Sequence, residues 1–339
     1  MHRAKAFRLI VFISCLLTLA ACERRQHLIE QHLLAFGTLI QITLITEDLG
    51  KAEELLAEIE TSFKIWHGQW HAWEDSDLTR FNRALSSGQT VEIPASLQSL
   101  VKLSRNYHQA SGGRFNPALG KLIAAWGFHA RKGDREMVLD IKQPLPSMAD
   151  LRVDGKFAQS THPQLQLDFG GIAKGYALSL IRKLLDTNGV EHYVINAGGD
   201  LITAGNRFGR PWRIGIQNPY APGAIASIEL EGQYSLFTSG NYRRRYQRGD
   251  GEIHHILNPR SGESATGQSS ATILTRDPVL ADVAATTFMI DGMQQYAELA
   301  RMLEIENFLV IGESGQILIS RPWAEKVKTI PARDTKIVN

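Results

Sequence analysis

A carboxylate and a hydroxyl stand one helical turn apart in the segment ADVAATTF (281–288), at Asp282 and Thr286. Residues at i and i+4 share a helix face, and two oxygen donors beside a carbonyl suit a hard cation such as Mg²⁺. No His or Cys joins them, which speaks against zinc. Taken alone, the pair is better explained as capping by Asp282 with Thr286 bonding back to a carbonyl.

A second segment, LDFGGIAKGYALSL (167–180), puts Asp168, two glycines and Lys174 at the mouth of a helix. Free backbone N–H groups and the positive end of the helix dipole would face that loop and attract phosphate, and Lys174 adds a full charge. GGIAKG is neither G-x-x-x-x-G-K-[ST] nor G-x-G-x-x-G, so the two commonest nucleotide loops are excluded. By itself a Gly-Gly ahead of a helix is more often a tight turn than a ligand site.

The stretch IHHILNPRSGE (253–263) offers a histidine as general base. His254 and His255 are neighbours, and neighbours on a strand project to opposite faces, so at most one serves a given site. NAGGDL (196–201) reads as close backbone approach after a strand. The arginines of TSGNYRRRY (238–246) fit an anion site or a solvated edge equally. No G-x-S-x-G, no H-E-x-x-H and no S-x-x-K with its partners occurs, which leaves metal-positioned, phosphate-handling chemistry.

These residues need elements to hold them. TLIQITLI (38–45) alternates as a strand, and KAEELLAEIETSF (51–63) is an amphipathic helix. SLQSLVKLSRNYH (96–108) is a helix stopped by SGG. A further helix runs from about 173 to 188 with Gly189 at its C′ position. The C-terminal half mixes the strands YVIN, WRIGIQ, SIEL, SLFTSG and SSATIL with a helix beginning near Ala281, another at 294–303, and the strands FLVIG and QILIS. The order is neither alternating βα nor all-β. It predicts an α+β fold: a mixed, largely antiparallel sheet with packed helices, in a single compact body of two interleaved lobes.

The N-terminus reads as an export signal: basic residues, an apolar run to Ala21, then Cys22 after small residues. LTLAAC resembles a lipobox, with Cys22 as the lipidated first residue. The layout is then a signal at 1–21, a lipid-anchored tether at 22–31, a catalytic body at 32–330 and a tail at 331–339. Glu23 after the cysteine favours the outer membrane over the inner, on the periplasmic side. Cys15 and Cys22 are the only cysteines, so the mature chain has no pair to oxidise. The formal charge of +2 includes three basic residues of the signal; without them 34 Lys and Arg face 35 Asp and Glu, which removes any charge-based case for nucleic acid.

Taken together and in this order, the segments resemble the ApbE family of FAD:protein FMN transferases. The resemblance is carried by FGT (36–38), WEDSDLTRFN (73–82), GGRFNPALGKLIAAWGF (112–128), LDFGGIAKGYA (167–177), NAGGDL, PWRIGIQNP (211–219), TSGNYRR, HHILNPRSG and ADVAATTF. It implies an exported, Mg²⁺-dependent enzyme that binds FAD, splits its pyrophosphate, releases AMP and attaches FMN by a phosphoester to a Thr or Ser of a membrane or periplasmic redox protein. It further implies FAD contacts at Phe36, Trp73, Arg114, Phe115, Asn116, Asp168, Lys174 and Ile256. The implied metal ligands are the carbonyls of Gly171 and Ala285 with the side chains of Asp282 and Thr286, and His255 is the implied base.

Two positions depart from the family pattern: Asn116 and Asn258 stand where many members carry aspartate. Both precede proline, where a turn-forming hydrogen bond survives the change. Two alternatives share the same site, an FAD pyrophosphatase with water as acceptor and a non-catalytic flavin-binding lipoprotein. The intact Asp282, Thr286 and Lys174 favour an enzyme over the binding module.

Overall fold

The computed structural model describes residues 26–128, 144–242, 245–248, 251–329 and 334–339. The signal segment, Cys22 and residues 23–25 of the expected tether, and Arg243 and Arg244 lie outside the described residues. Among those described, no helix is long and apolar enough to cross a membrane.

Nine strands form one sheet whose spatial order follows chain order: β1 (His27–Ala35), β2 (Thr38–Thr46), β3 (His192–Ala197), β4 (Asp200–Ala204), β5 (Tyr234–Gly240), β6 (Gln268–Thr275), β7 (Asn307–Gly312), β8 (Ile317–Ser320) and β9 (Thr335–Val338). Every neighbouring pair is antiparallel except β8 and β9, which are parallel. The expected α+β fold with a largely antiparallel sheet is what the chain adopts.

The remaining elements are insertions between these strands. Between β2 and β3 come the helices α1 (Leu49–Trp70), α2 (Asp77–Leu85), α3 (Ala95–Ala110), α4 (Gly120–Ala125) and α5 (Ala173–Thr187). Between β4 and β5 lie the strands Trp212–Gln217 and Ala224–Leu230 of a small second sheet. A hairpin, Arg245–Arg248 with Gly251–His254, joins β5 to β6, and α6 (Pro278–Leu303) joins β6 to β7.

Both faces of the central sheet are covered, which explains why its middle strands read as continuous apolar runs. Ile202, Phe237, Phe308 and Val310 face the helices. Their neighbours Leu201, Leu236, Leu309 and Ile311 face the small sheet and Trp323.

One helix differs from the sequence expectation. The helix expected to end at Phe63 continues to Trp70, because Trp66 and Trp70 stack on one another at 5.6 Å and cover polar spacing that looks like a loop in sequence. The helices expected near Ala281 and at 294–303 both form and run end to end as α6, which kinks at Gln295 (φ −117°, ψ 20°), beside the expected boundary. Its cap is Asp277, whose carboxylate accepts from the Val279 and Leu280 N–H groups ahead of Pro278 in the first turn.

Candidate active site

The register brings one end of the sheet to a single cleft. Ala35 pairs with Thr38, Ala197 with Asp200, and Thr238 with Thr272, and the turns beyond these pairs form its floor. The cleft measures about 920 Å³, a size typical of small-molecule sites. Phe36, Trp73, Arg114, Phe115, Asn116, Asp168, Gly171, Lys174, His255, Ile256, Asp282 and Thr286 all line it. Ala285 is buried beside Thr286 on the same helical turn. It can reach a ligand only through its carbonyl.

Asp282 sits where α5 and α6 touch. Gly175 has no room for a side chain: a Cβ there would lie 2.4 Å from the Pro278 carbonyl oxygen and 2.8 Å from Asp282 Cβ. That contact lets the Gly175 N–H, an orphan donor in the first turn of α5, donate to Asp282 Oδ2 at 2.8 Å. Burial pushes the Asp282 carboxyl up to about 6; Lys174 opposes the rise and Asp200 adds to it. Lys174 Nζ lies 2.8 Å from Asp200 Oδ2 and 3.7 Å from Asp282 Oδ1. The ammonium thus bridges two buried carboxylates.

The capping explanation of Asp282 and Thr286 fails here. Asp277 is the cap, and the hydroxyl that bonds back to a helix carbonyl is that of Thr287, to Val283. The Thr286 hydroxyl instead meets Ser239 Oγ at 3.4 Å. A Cβ on Gly171 would lie 3.1 Å from Thr286 Oγ1, so the glycine brings its backbone against α6. Carboxylate, hydroxyl and carbonyl oxygens form a hard donor set. It fits Mg²⁺ and offers nothing soft enough to prefer zinc.

The phosphate reading of the loop needs correction. Gly170 N–H donates to Asp168 Oδ1, the Ile172 and Ala173 N–H groups to Phe169 O, and that of Gly175 to Asp282. These four backbone donors are spent within the protein, and the Lys174 ammonium is the full positive charge this loop brings to the cleft.

Arg114 is likewise committed. Its Nε donates to Asp291 and its Nη2 to Glu298, both at 3.0 Å, so it ties the GGRFN loop to α6 and brings no free guanidinium. Arg260, from the loop after His255, also pairs with Asp291. Both departures from the family pattern keep a turn role: Asn116 Oδ1 accepts from Ala118 N–H and Asn258 Oδ1 from Arg260 N–H, each spanning a proline. Asn116 also donates to the Pro146 carbonyl, a bond an ionised aspartate could not make.

One cleft wall is aromatic. Phe36 and Trp70 stack at 6.0 Å with planes 10° apart, and His71 meets Trp73 edge-on at 4.5 Å. Phe36 holds φ = 51° in the Phe36-Gly37 turn between β1 and β2, and its N–H donates to His67 Nδ1. His71 Nδ1 accepts from Glu74 N–H. With Nδ1 accepting, each neutral imidazole carries its proton on Nε2. His67, Trp70 and His71 were absent from the sequence-derived site because the helix was ended at Phe63. Asp200 was missed as well. Its signal was a lone charge heading a fully buried strand directly after a Gly-Gly hairpin turn, a position that calls for a cation.

The adjacent histidines separate, His254 ending the strand Gly251–His254 and His255 standing in the bend just past it. His254 is buried and its ring meets the Ala265 carbonyl at 2.6 Å, whereas His255 is half-buried in the cleft with Phe128 edge-on at 6.2 Å.

A sequence model of the ApbE family matches residues 36–309. An FAD:protein FMN transferase of Rhodobacter capsulatus is 31% identical over 300 residues; the match covers 87% of this chain but 57% of that relative's length. One from Vibrio cholerae is 27% identical, with 89% of this chain and 93% of the relative covered. The crystal structure of the ApbE protein from Thermotoga maritima superposes with a TM-score of 0.80 at 24% identity, over 88% of this chain and 99% of that one.

Proposed function

The chain belongs to the ApbE family, and from that membership we propose that it is a Mg²⁺-dependent FAD:protein FMN transferase. What supports the reading is a convergence in one cleft: stacked aromatic rings, a lysine between two buried carboxylates, an all-oxygen donor set and a half-buried histidine. Each answers a part of FAD or of the reaction.

Phe36, Trp70 and Trp73 provide a flat apolar wall for a ring system. Lys174 binds the pyrophosphate, with Asp200 fixing its ammonium. Gly171, Asp282, Ala285 and Thr286 would hold Mg²⁺, which when bound supplies charge neutralisation to the pyrophosphate. His255 takes the proton of an acceptor Thr or Ser hydroxyl. That oxygen attacks the phosphorus on the FMN side, the bond from this phosphorus to the bridging oxygen breaks, and AMP leaves with that oxygen. The proton remains on the imidazole until solvent removes it.

The acceptor in this reading is a membrane or periplasmic redox protein, and Cys22 is lipidated on the periplasmic side of a bacterial membrane, the outer membrane favoured by Glu23. Incubating the full chain with FAD, Mg²⁺ and candidate acceptors tests the reading. Flavin fluorescence should stay with the acceptor on a denaturing gel as AMP appears. AMP with an unlabelled acceptor would mark a pyrophosphatase.

A further inference from the structure

The two ends of the central sheet differ in kind. One carries the cleft. At the other, the register aligns Leu28 with Ile45, Ile45 with His192, and Tyr193 with Ala204, so the chain enters the fold at His27 at the same end of the sheet as the exit of β4, three strands and about 14 Å away. At about 3.4 Å per residue, β1 separates these ends by about 30 Å.

What leaves β4 is a small hairpin, NRFGR (206–210). Arg207 and Arg210 close it with reciprocal backbone hydrogen bonds of 2.7 and 3.1 Å. Asn206 Oδ1 accepts from Gly209 N–H, and Asn206 N–H donates to His192 Nδ1. At the tip, Phe208 and Gly209 both have positive φ, 50° and 76°. Such a turn prefers Asn, Asp or Gly, and a bulky residue in its first position is strained. Phe208 is also 49% exposed, and Arg207, Arg210 and the nearby Arg213 are exposed. Strain without burial brings the folded domain no return, so it points to a role outside it. The other Phe-Gly turn of this kind, Phe36-Gly37, lines the cleft.

We propose that this hairpin is a membrane finger: Phe208 enters the headgroup–acyl boundary of a bilayer, and Arg207 and Arg210 pair with lipid phosphates. The occupant follows from the chain that precedes the fold. Resting on the lipidated Cys22 of the proposed function, the five residue steps from Cys22 to His27 span at most about 18 Å, which keeps this end of the sheet near the bilayer. Aromatic and basic side chains are the groups that settle at that depth. Glu47 and Asp48 follow β2 at the same end, and Glu231 bonds Asn206. The contact is therefore short-range and needs the anchor to deliver it. Its consequence is orientation, with the cleft mouth turned outward about 30 Å from the attached end.

The test uses the full lipidated chain in vesicles of phosphatidylethanolamine and phosphatidylglycerol. Phe208→Cys, and Leu34→Cys at the cleft end of β1, each receive an environment-sensitive fluorophore. A fatty-acid label on Cys22 is scored first. The probe at 208 should shift to the blue and be quenched by acyl-chain nitroxides, the probe at 34 should not, and Arg207→Ser with Arg210→Ser should weaken the quenching at 208. Absence of the fatty-acid label overturns the anchor and the finger together. With the label present, a 208 probe as open to aqueous iodide as the 34 probe overturns the finger alone. A 208 probe that responds only when acceptor protein is added also overturns it and reassigns the hairpin to protein docking.

Discussion

The Gly175 N–H donates to Asp282 Oδ2 at 2.8 Å, through a helix crossing so close that a Cβ on Gly175 would lie 2.8 Å from Asp282 Cβ. The two motifs richest in chemistry, GGIAKG and ADVAATTF, are therefore one structural unit. The glycine sets the helix separation, and the separation sets the carboxylate.

Gly175→Ala should force α5 from α6, because the nearest atom is the Pro278 backbone oxygen and cannot step aside. The expected loss is about 1–3 kcal/mol, the usual cost of overpacking, with a fall in Mg²⁺-dependent AMP release. Urea midpoints and turnover measured together check this; a variant with wild-type stability and turnover would contradict it.

Asp282→Asn keeps an oxygen for the Gly175 N–H but removes the charge. Because burial already disfavours the ionised carboxyl, folding without metal should hold or improve. Mg²⁺ binding by calorimetry should collapse. Retained Mg²⁺ affinity would remove Asp282 from the metal site.

Asn82 is 4% exposed and bonds both sides of Leu167, donating to its carbonyl and accepting from its N–H, each at 2.8 Å. Asn82→Leu leaves both backbone groups of Leu167 without this partner, at about 1–3 kcal/mol for each buried group left unsatisfied. The LDFGG loop begins there, so FAD affinity should fall along with the melting temperature. Unchanged FAD binding would show that the loop does not depend on Asn82.

Legibility in the sequence followed the range of the interactions. Alternation in TLIQITLI and the apolar stripe of α5 are local, and both elements formed as expected. The extension of α1 carries Trp70 against Phe36 across the β1–β2 turn, a contact no local pattern encodes. The chemistry-bearing residues could be picked out by type and family resemblance, and they do share one cleft. Their bonding could not be read. Lys174 is held by Asp200 from a distant strand, Arg114 is spent on α6, and the Gly170, Ile172, Ala173 and Gly175 N–H groups bond within the protein.

Burial pushes the His254 imidazole below its ordinary value of 6.5. The folded state then holds it neutral while the unfolded chain binds a proton more readily. Its contribution to stability is present above pH 6.5 and is lost as pH falls through the lowered folded value. His254→Gln retains a donor for the Ala265 carbonyl and does not titrate. Unfolding free energy followed from pH 7.5 to about 5 should fall less steeply in the variant than in the wild type; equal slopes would contradict the assignment.

The central claim is that this cleft moves FMN from FAD to a protein hydroxyl with His255 as base. Single-turnover transfer by His255→Ala, compared with wild type and with FAD dissociation constants measured on both, tests it most directly. The account predicts FAD affinity within a few-fold of wild type, with flavin transfer and AMP release slowed together by about 10²–10⁴, the usual worth of a positioned general base. Normal FAD binding with an undiminished transfer rate would contradict it.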